Sequence, residues 1–256
     1  MNLPIYKRIY RKILSAAPGM SYQKNRGYCP CCESDTSFIS TSSWFRDNYR
    51  CIRCMSIPRE RALIAALNKY YPEWPGLRIH ESSPNDSSAS RLLKNKCRDY
   101  TGSQYYRDKP KGEIVSGYIN QDLEELTFKD ESFDIIITQD VFEHINNPVK
   151  AFREIHRTLK QGGAHIFTVP VINRFNKTER WGEFDDSGRI KFFRTPEYHG
   201  NPVDPQGSPV TFHWGFDIIN LIKECTGMET MVEDNYDLSL GLSARYLEVF
   251  VSVKRG

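Results

Sequence analysis

The stretch from Ile119 to Pro170 constrains the fold of this chain more than any other, because strand-like and helix-like patterns alternate within it. Phe133-Asp-Ile-Ile-Ile-Thr138 is a short β-branched run of the kind buried on both faces of a parallel sheet. Asn147-Pro148 predicts a helix start, a capping side chain followed by a proline whose missing N–H costs nothing there. Val149, Phe152, Ile155 and Leu159 then recur at helical spacing, Gly162-Gly163 is expected to stop the helix, and Ala164–Val169 reads as the next strand. A strand, a crossover helix and a second strand of this length make a right-handed parallel unit.

Asp122-Leu-Glu-Glu-Leu-Thr-Phe128, Ser132-Phe-Asp134, Val141-Phe-Glu-His144 and Leu159-Lys-Gln-Gly-Gly163 resemble the middle of a class I S-adenosylmethionine-dependent methyltransferase of the type 11-like group. The resemblance implies an α/β fold: a Rossmann-like seven-stranded sheet with helices on both faces, here over residues 77–256. It also implies S-adenosylmethionine as cofactor, in the crevice outside the strand C-termini where strand order reverses.

The first strand is expected at Leu77-Arg-Ile-His80-Glu81. The glycine-rich turn that usually follows is replaced by Ser82-Ser83-Pro84-Asn85, whose serines are small enough for a similar backbone path. His80 or Glu81 is expected to receive the cofactor's amine or carboxylate. Ser103 or Gln104 could hydrogen-bond the ribose diol in place of the usual acid. Asp122 resembles the acceptor for the adenine amino group, with Leu123 donating from its backbone, and Gln139 and Asp140 fall where cofactor and acceptor meet. Asp134, at the start of its strand, reads as structural.

The N-terminal part has a different chemistry. Residues 4–17 form a basic amphipathic helix candidate with Ile5, Ile9 and Ile13 on one stripe, ended by Pro18-Gly19. Cys29-Pro-Cys31-Cys32, eighteen residues, and Cys51-Ile-Arg-Cys54 then match a four-cysteine structural zinc site over 21–56. The spacing favours Cys29, Cys32, Cys51 and Cys54 as ligands, with Cys31 extra. Phe38-Ile-Ser-Thr and Trp44-Phe-Arg read as ribbon strands. Arg46, Arg50, Arg53, Arg59 and Arg61, with Phe38, Trp44 and Tyr49, could make a substrate platform or the module's own core. A helix from Ile57-Pro58 to about Tyr71 and a linker complete residues 57–76.

Residues 171–215 form a polar, aromatic insertion long enough for a lid or binding loop. Tyr198, His199, Asn201, His213 and Trp214 suit a polar, ring-shaped acceptor. Methyl transfer from a sulfonium needs a base only when the acceptor must lose a proton; His144, Asp140 and Glu143 are the candidates. A last helix over 216–227 and strands at Met228–Asp234 and Arg245–Lys254 follow.

Residues 1–61 hold eleven Lys/Arg against four Asp/Glu, +7, leaving 24 against 28, −4, in a chain of net +3. A basic end suits an anionic partner, so RNA is open beside a small-molecule or saccharide acceptor. So is a non-catalytic role as a partner protein whose altered first loop no longer holds cofactor. Paired CxxC turns, with no apolar run long enough to span a bilayer, suggest a reducing, cytoplasmic setting.

Overall fold

The computed structural model describes residues 22–185, 187–201, 203–234 and 236–255, so the helix expected over 4–17 lies outside the described residues. The chain divides into two compact units. The first takes the described residues up to Pro75, with Asp86–Lys96 and Glu233–Val249; the second takes Gly76–Asn85, Cys97–Val232 and the residues from Phe250.

In the first unit β1 (Gln23–Cys29) and β2 (Ser34–Ser40) form an antiparallel hairpin, and β3 (Arg50–Cys51) pairs with β2. Trp44-Phe-Arg is not a strand: α1 (Phe45–Asn48) is a helical turn. Trp44 Nε1–H donates to Asp47 at 2.8 Å and Asn48 Nδ2–H to Trp44 O at 3.0 Å, local bonds that compete with a ladder.

α2 (Pro58–Tyr70) starts on a proline and buries Ala62, Leu63, Ile64, Ala66 and Leu67. It also buries Arg61 completely, which donates to Tyr49 O at 2.9 Å, to Gly241 O at 2.7 Å and to Ser56 O, and lies 4.5 Å over the Phe38 ring. The platform expectation is therefore corrected for most of its members. Phe38 and Tyr49 are 0 % exposed, Arg46 is buried, and Arg59 is paired with Asp47. They are core and brace, because a ribbon this small has few other apolar groups to bury.

α3 (Ser88–Lys96) joins this unit through its first turn. Ser88 N–H donates to the Glu60 carboxylate and its hydroxyl to Cys54 O, both at 2.7 Å. The segment 233–249 closes against the ribbon at Gly27, where a Cβ would meet Ser239 O at 2.0 Å.

The second unit is built on one sheet of order β16-β17-β9-β8-β4-β5-β7-β6. Its strands are β4 (Arg78–Ser82), β5 (Asp99–Gln104), β6 (Ile114–Val115), β7 (Tyr118–Asn120), β8 (Phe133–Gln139), β9 (Leu159–Thr168), β16 (Glu229–Glu233) and β17 (Val249–Val253). The β4–β5, β4–β8, β5–β7 and β8–β9 pairs are parallel. The resemblance implies seven strands; two-residue β6 is an eighth, antiparallel to β7 at the edge.

α4 (Pro148–Thr158) starts as expected, with Asn147 accepting Lys150 N–H at 3.1 Å. It packs with α5 (Ile218–Thr226) on a core of Phe133, Ile136, Phe142, Phe152, Phe167 and Phe250. Each such side chain contributes about 1.5–3 kcal/mol by leaving water. Gly162-Gly163 does not end this helix. It stops at Thr158, whose hydroxyl turns back to Glu154 O at 2.8 Å, and β9 begins at once. The glycines lie inside β9, where a Cβ on Gly163 would come 2.8 Å from Asp134 O, beside the register shift between β8 and β9. No helix among the described residues is long and apolar enough to cross a membrane.

One face of this sheet buries two histidines. His80 bonds Ser103 Oγ at 2.8 Å and stacks on Phe133; His165 bonds Thr138 Oγ1 at 3.0 Å and stacks on Phe167. Burial lowers both to about 3, with His80 adding to the effect at His165. The folded state thus holds neutral rings that protonate when unfolded. The stability they contribute is complete above about pH 6.5 and falls by up to about 1.4 kcal/mol per pH unit per ring as pH drops toward 3. Urea unfolding at pH 7.5 and 5 should show a smaller acid loss in His165→Leu than in the parent protein. Equal losses would mean that the ring does not enter the fold neutral.

Candidate functional site

The residues expected to meet the cofactor gather on β4, β5, β7 and β8 and the turns that follow them, and strand parity decides which side chains share a face. On β4 and its neighbours, Glu81, Tyr100, Gln104 and Gln139 share one face, while His80, Ser103 and Thr138 share the other. Glu81 is 1 % exposed and accepts Tyr100 O–H at 2.8 Å and Gln139 Nε2–H at 2.9 Å. Burial, then the Glu81 charge, raises Tyr100 and keeps it a donor. The expected cofactor set is therefore divided. Ser103, 0 % exposed, spends its hydroxyl on His80 in the sheet interior, and Ser82 lies buried on that same face. His80, Ser82 and Ser103 thus have their side chains in the sheet interior.

Of the two residues expected at the diol, Gln104 is the one whose side chain shares the face of Glu81. Its Nε2 donates to Pro84 O at 2.6 Å, and its own carbonyl accepts Gln121 N–H at 2.9 Å, so it joins three strand-end loops. The alternation of β5 was the signal that could have chosen it. Ser83, between Ser82 and Pro84, has φ +56° and donates its N–H to Ser103 O at 2.8 Å. A serine here follows the left-handed path on which glycine is usual. Asp122 sits in the turn after β7, where its carboxylate accepts Glu124 N–H at 2.9 Å and lies 3.7 Å from Lys111. Leu123 buries its side chain beside it. Asp140, φ +51°, accepts Thr168 Oγ1–H at 2.9 Å at the end of β8.

In the first unit the four expected cysteines come together: all four Sγ atoms lie within 4.8 Å of one another. The pairs Cys29–Cys54 and Cys32–Cys51 are 3.7 and 3.9 Å apart, close to the edge of about 3.8 Å that follows from Zn–S bonds of about 2.3 Å in a tetrahedron. Hydrogen bonds with neighbouring cysteines, Cys31 first, push the Cys29 thiol up to about 12. A divalent cation reverses that preference by stabilising thiolates. Cys31 is buried without being part of the cluster.

The insertion is a set of small hairpins in the second unit: β10 (Glu179–Arg180) with β15 (Phe212–His213), β11 (Gly182–Phe184) with β12 (Ile190–Phe192), and β13 (Tyr198–His199) with β14 (Ser208–Pro209). They bring His199 beside Glu143 and His144 of the turn after β8. His199 Nδ1 is 3.5 Å and His144 Nε2 3.8 Å from Glu143 Oε1. Glu143 raises the His199 imidazole above its ordinary range. His144 Nδ1 bonds Pro209 O at 2.9 Å; Glu197 takes His199 Nε2 at 3.3 Å and His213 Nε2 at 2.9 Å.

The other residues expected on the acceptor side have separate fates. Tyr198 is half exposed, and Asn201 spends its amide on Ser208 Oγ and on N–H groups of its own loop. Trp214 is corrected to a core residue: it is 1 % exposed, stacks on Phe212 and gives its N–H to Phe142 O at 3.1 Å. A cleft of about 450 Å³ lies against Asn146, Arg180, Phe212 and Trp214, and none of the strand-end residues above lines it.

Residues 90–167 match a family described as a methyltransferase domain. No curated protein matches the sequence. Among solved structures, the chain is similar to an S-adenosylmethionine-dependent methyltransferase from Mesorhizobium loti at 19 % identity, over 76 % of this chain and 98 % of that one, with a TM-score of 0.49. The YcgJ protein of Bacillus subtilis is similar at 13 % identity, over 76 % and 98 %, with a TM-score of 0.46. Phosphoethanolamine N-methyltransferase 2 of Haemonchus contortus, in complex with phosphomonomethylethanolamine and S-adenosylhomocysteine, is similar at 15 % identity, over 76 % and 52 %, with a TM-score of 0.47.

The Ser83 backbone generates a direct expectation. Ser83→Gly should be neutral or slightly stabilising, whereas Ser83→Val should cost about 1–2 kcal/mol, because a branched Cβ opposes positive φ. Urea unfolding checks both; a valine tolerated as well as glycine would contradict the left-handed turn.

Proposed function

We propose that this chain is an S-adenosylmethionine-dependent methyltransferase that methylates a hydroxyl or amine of a small-molecule or saccharide acceptor, with a structural zinc ion on Cys29, Cys32, Cys51 and Cys54. The observation that carries the reading is the Ser83 turn above buried Glu81. A loop without glycine still takes the left-handed turn on which glycine is usual, at the point where strand order reverses. The methyltransferase-domain match over 90–167 supports it.

The bound cofactor would supply a methyl group on a sulfonium, already activated for displacement. The rest is the protein's part. Glu81, braced by Tyr100 and Gln139, places negative charge at the end of β4, where a cationic amine would be held. Asp122 offers a carboxylate for an exocyclic amino group, with Leu123 fixed beside it. Gln104, on the face it shares with Glu81, would meet the ribose diol. Orientation and exclusion of water provide most of the rate in such a displacement. Asp140 is engaged by Thr168, so deprotonation of a hydroxyl acceptor falls to the Glu143–His144–His199 group.

Calorimetric titration of zinc-loaded protein with S-adenosylmethionine and S-adenosylhomocysteine tests this. Binding in the micromolar range, weakened severalfold by Asp122→Ala, is the expected result. Folded, metal-loaded protein that binds neither ligand would overturn the enzyme reading in favour of a non-catalytic partner role.

A further inference from the structure

Glu143 keeps an unpartnered carboxyl group in the interior. It is 2 % exposed, and neither carboxylate oxygen has a hydrogen-bond partner. A carboxylate taken out of water without partners costs several kcal/mol, so such a group calls for a cation. The nearest cationic candidates are the two imidazoles, at 3.5 and 3.8 Å from Oε1, too far for good hydrogen bonds.

The two rings present one nitrogen each and have the other one anchored. His144 gives Nδ1–H to Pro209 O, which turns Nε2 toward Glu143. His199 has Nε2 on Glu197 and Nδ1 toward Glu143. Glu197 is itself held by His213, which stacks on Trp181 at 3.8 Å. An outer carboxylate or carbonyl on the far nitrogen is what orients imidazole ligands at metal sites.

The frame is stiff as well. Tyr198 pairs with Pro209 and His199 with Ser208, so the carbonyl that orients His144 lies on the strand facing His199. Thr211 fixes the Glu143 backbone, donating N–H to Glu143 O at 2.7 Å and Oγ1–H to Ile145 O at 2.7 Å.

The geometry points to a divalent metal site formed by Glu143, His144 and His199, distinct from the four-cysteine cluster. The three ligand atoms lie within 4.8 Å of one another. Donors bound to one tetrahedral ion at about 2.0–2.1 Å stand about 3.4 Å apart, so small side-chain movements suffice. Two imidazoles and one carboxylate favour zinc, iron, cobalt or manganese over magnesium or calcium. Three protein ligands leave at least one open position. The His199 side chain is 34 % exposed, which gives that position a path to solvent. On the methyl-transfer reading, an acceptor oxygen would occupy it and lose its proton more easily for being bound.

Cobalt titration of tag-free, full-length protein, stripped of metal under reducing conditions, tests the site without any cofactor. Two phases of about one equivalent each are expected. One carries sulfur-to-cobalt charge-transfer bands from the cysteines, and the other shows only the weaker visible bands of nitrogen and oxygen ligands. His199→Ala and Glu143→Gln should each weaken the second phase by at least about tenfold. Both should leave the sulfur bands, and His156→Ala should leave both phases. The proposal is overturned by a parent protein that takes up cobalt on sulfur alone, or by a second phase that survives in both variants. The parent titration decides the first point even if a variant fails to fold.

Discussion

The second unit depends on where Glu81 is held. Three parallel strands meet at that carboxylate: β4 supplies it, β5 braces it through Tyr100 and β8 through Gln139. Burying a carboxylate costs several kcal/mol, and charge-assisted hydrogen bonds from two sides offset it only when both neighbouring strands keep their register with β4. The same interaction therefore ties β4 to both of its neighbours and holds a buried carboxyl group near the C-terminal end of β4. The Ser83 turn, Gln104 on Pro84 and Gln121 on Gln104 then tie the loops above it to one another.

The first unit has a different keystone. Arg61, with no exposed surface, gathers the carbonyls of Ser56, Tyr49 and Gly241 onto one guanidinium. Around it, two cysteine turns come close enough to share an ion. A ribbon of three short strands has little apolar surface of its own, so such crosslinks take the place of a large core. Arg46, Arg61, Phe38 and Tyr49, which the sequence placed on a possible external platform, are buried within this unit.

The parallel sheet was legible because buried strands show as β-branched runs and the helix start at Asn147-Pro148 has a cap with a mechanism. The cysteine cluster was legible because CxxC spacing encodes a turn directly. What failed is instructive. Gly162-Gly163 looks like a helix stop, yet serves the close approach of β9 to β8, a tertiary demand invisible in local pattern. Ser103 against Gln104 was a question of strand parity, decided by one residue of register. Trp214 and Phe38 show the limit of reading aromatics beside polar groups: composition does not say which side of a hairpin is the inside. The Glu143–His199 meeting joins residues far apart in sequence, so only the folded insertion reveals it.

The central claim is that the strand-end loops around Glu81 and Ser83 hold S-adenosylmethionine. Hydrogen–deuterium exchange of the zinc-loaded protein, with and without S-adenosylhomocysteine, tests it most directly. The account predicts slowed exchange confined mainly to Ser82–Asn85, Asp122-Leu123 and Gln139-Asp140. Protection elsewhere that leaves these segments unchanged would contradict it.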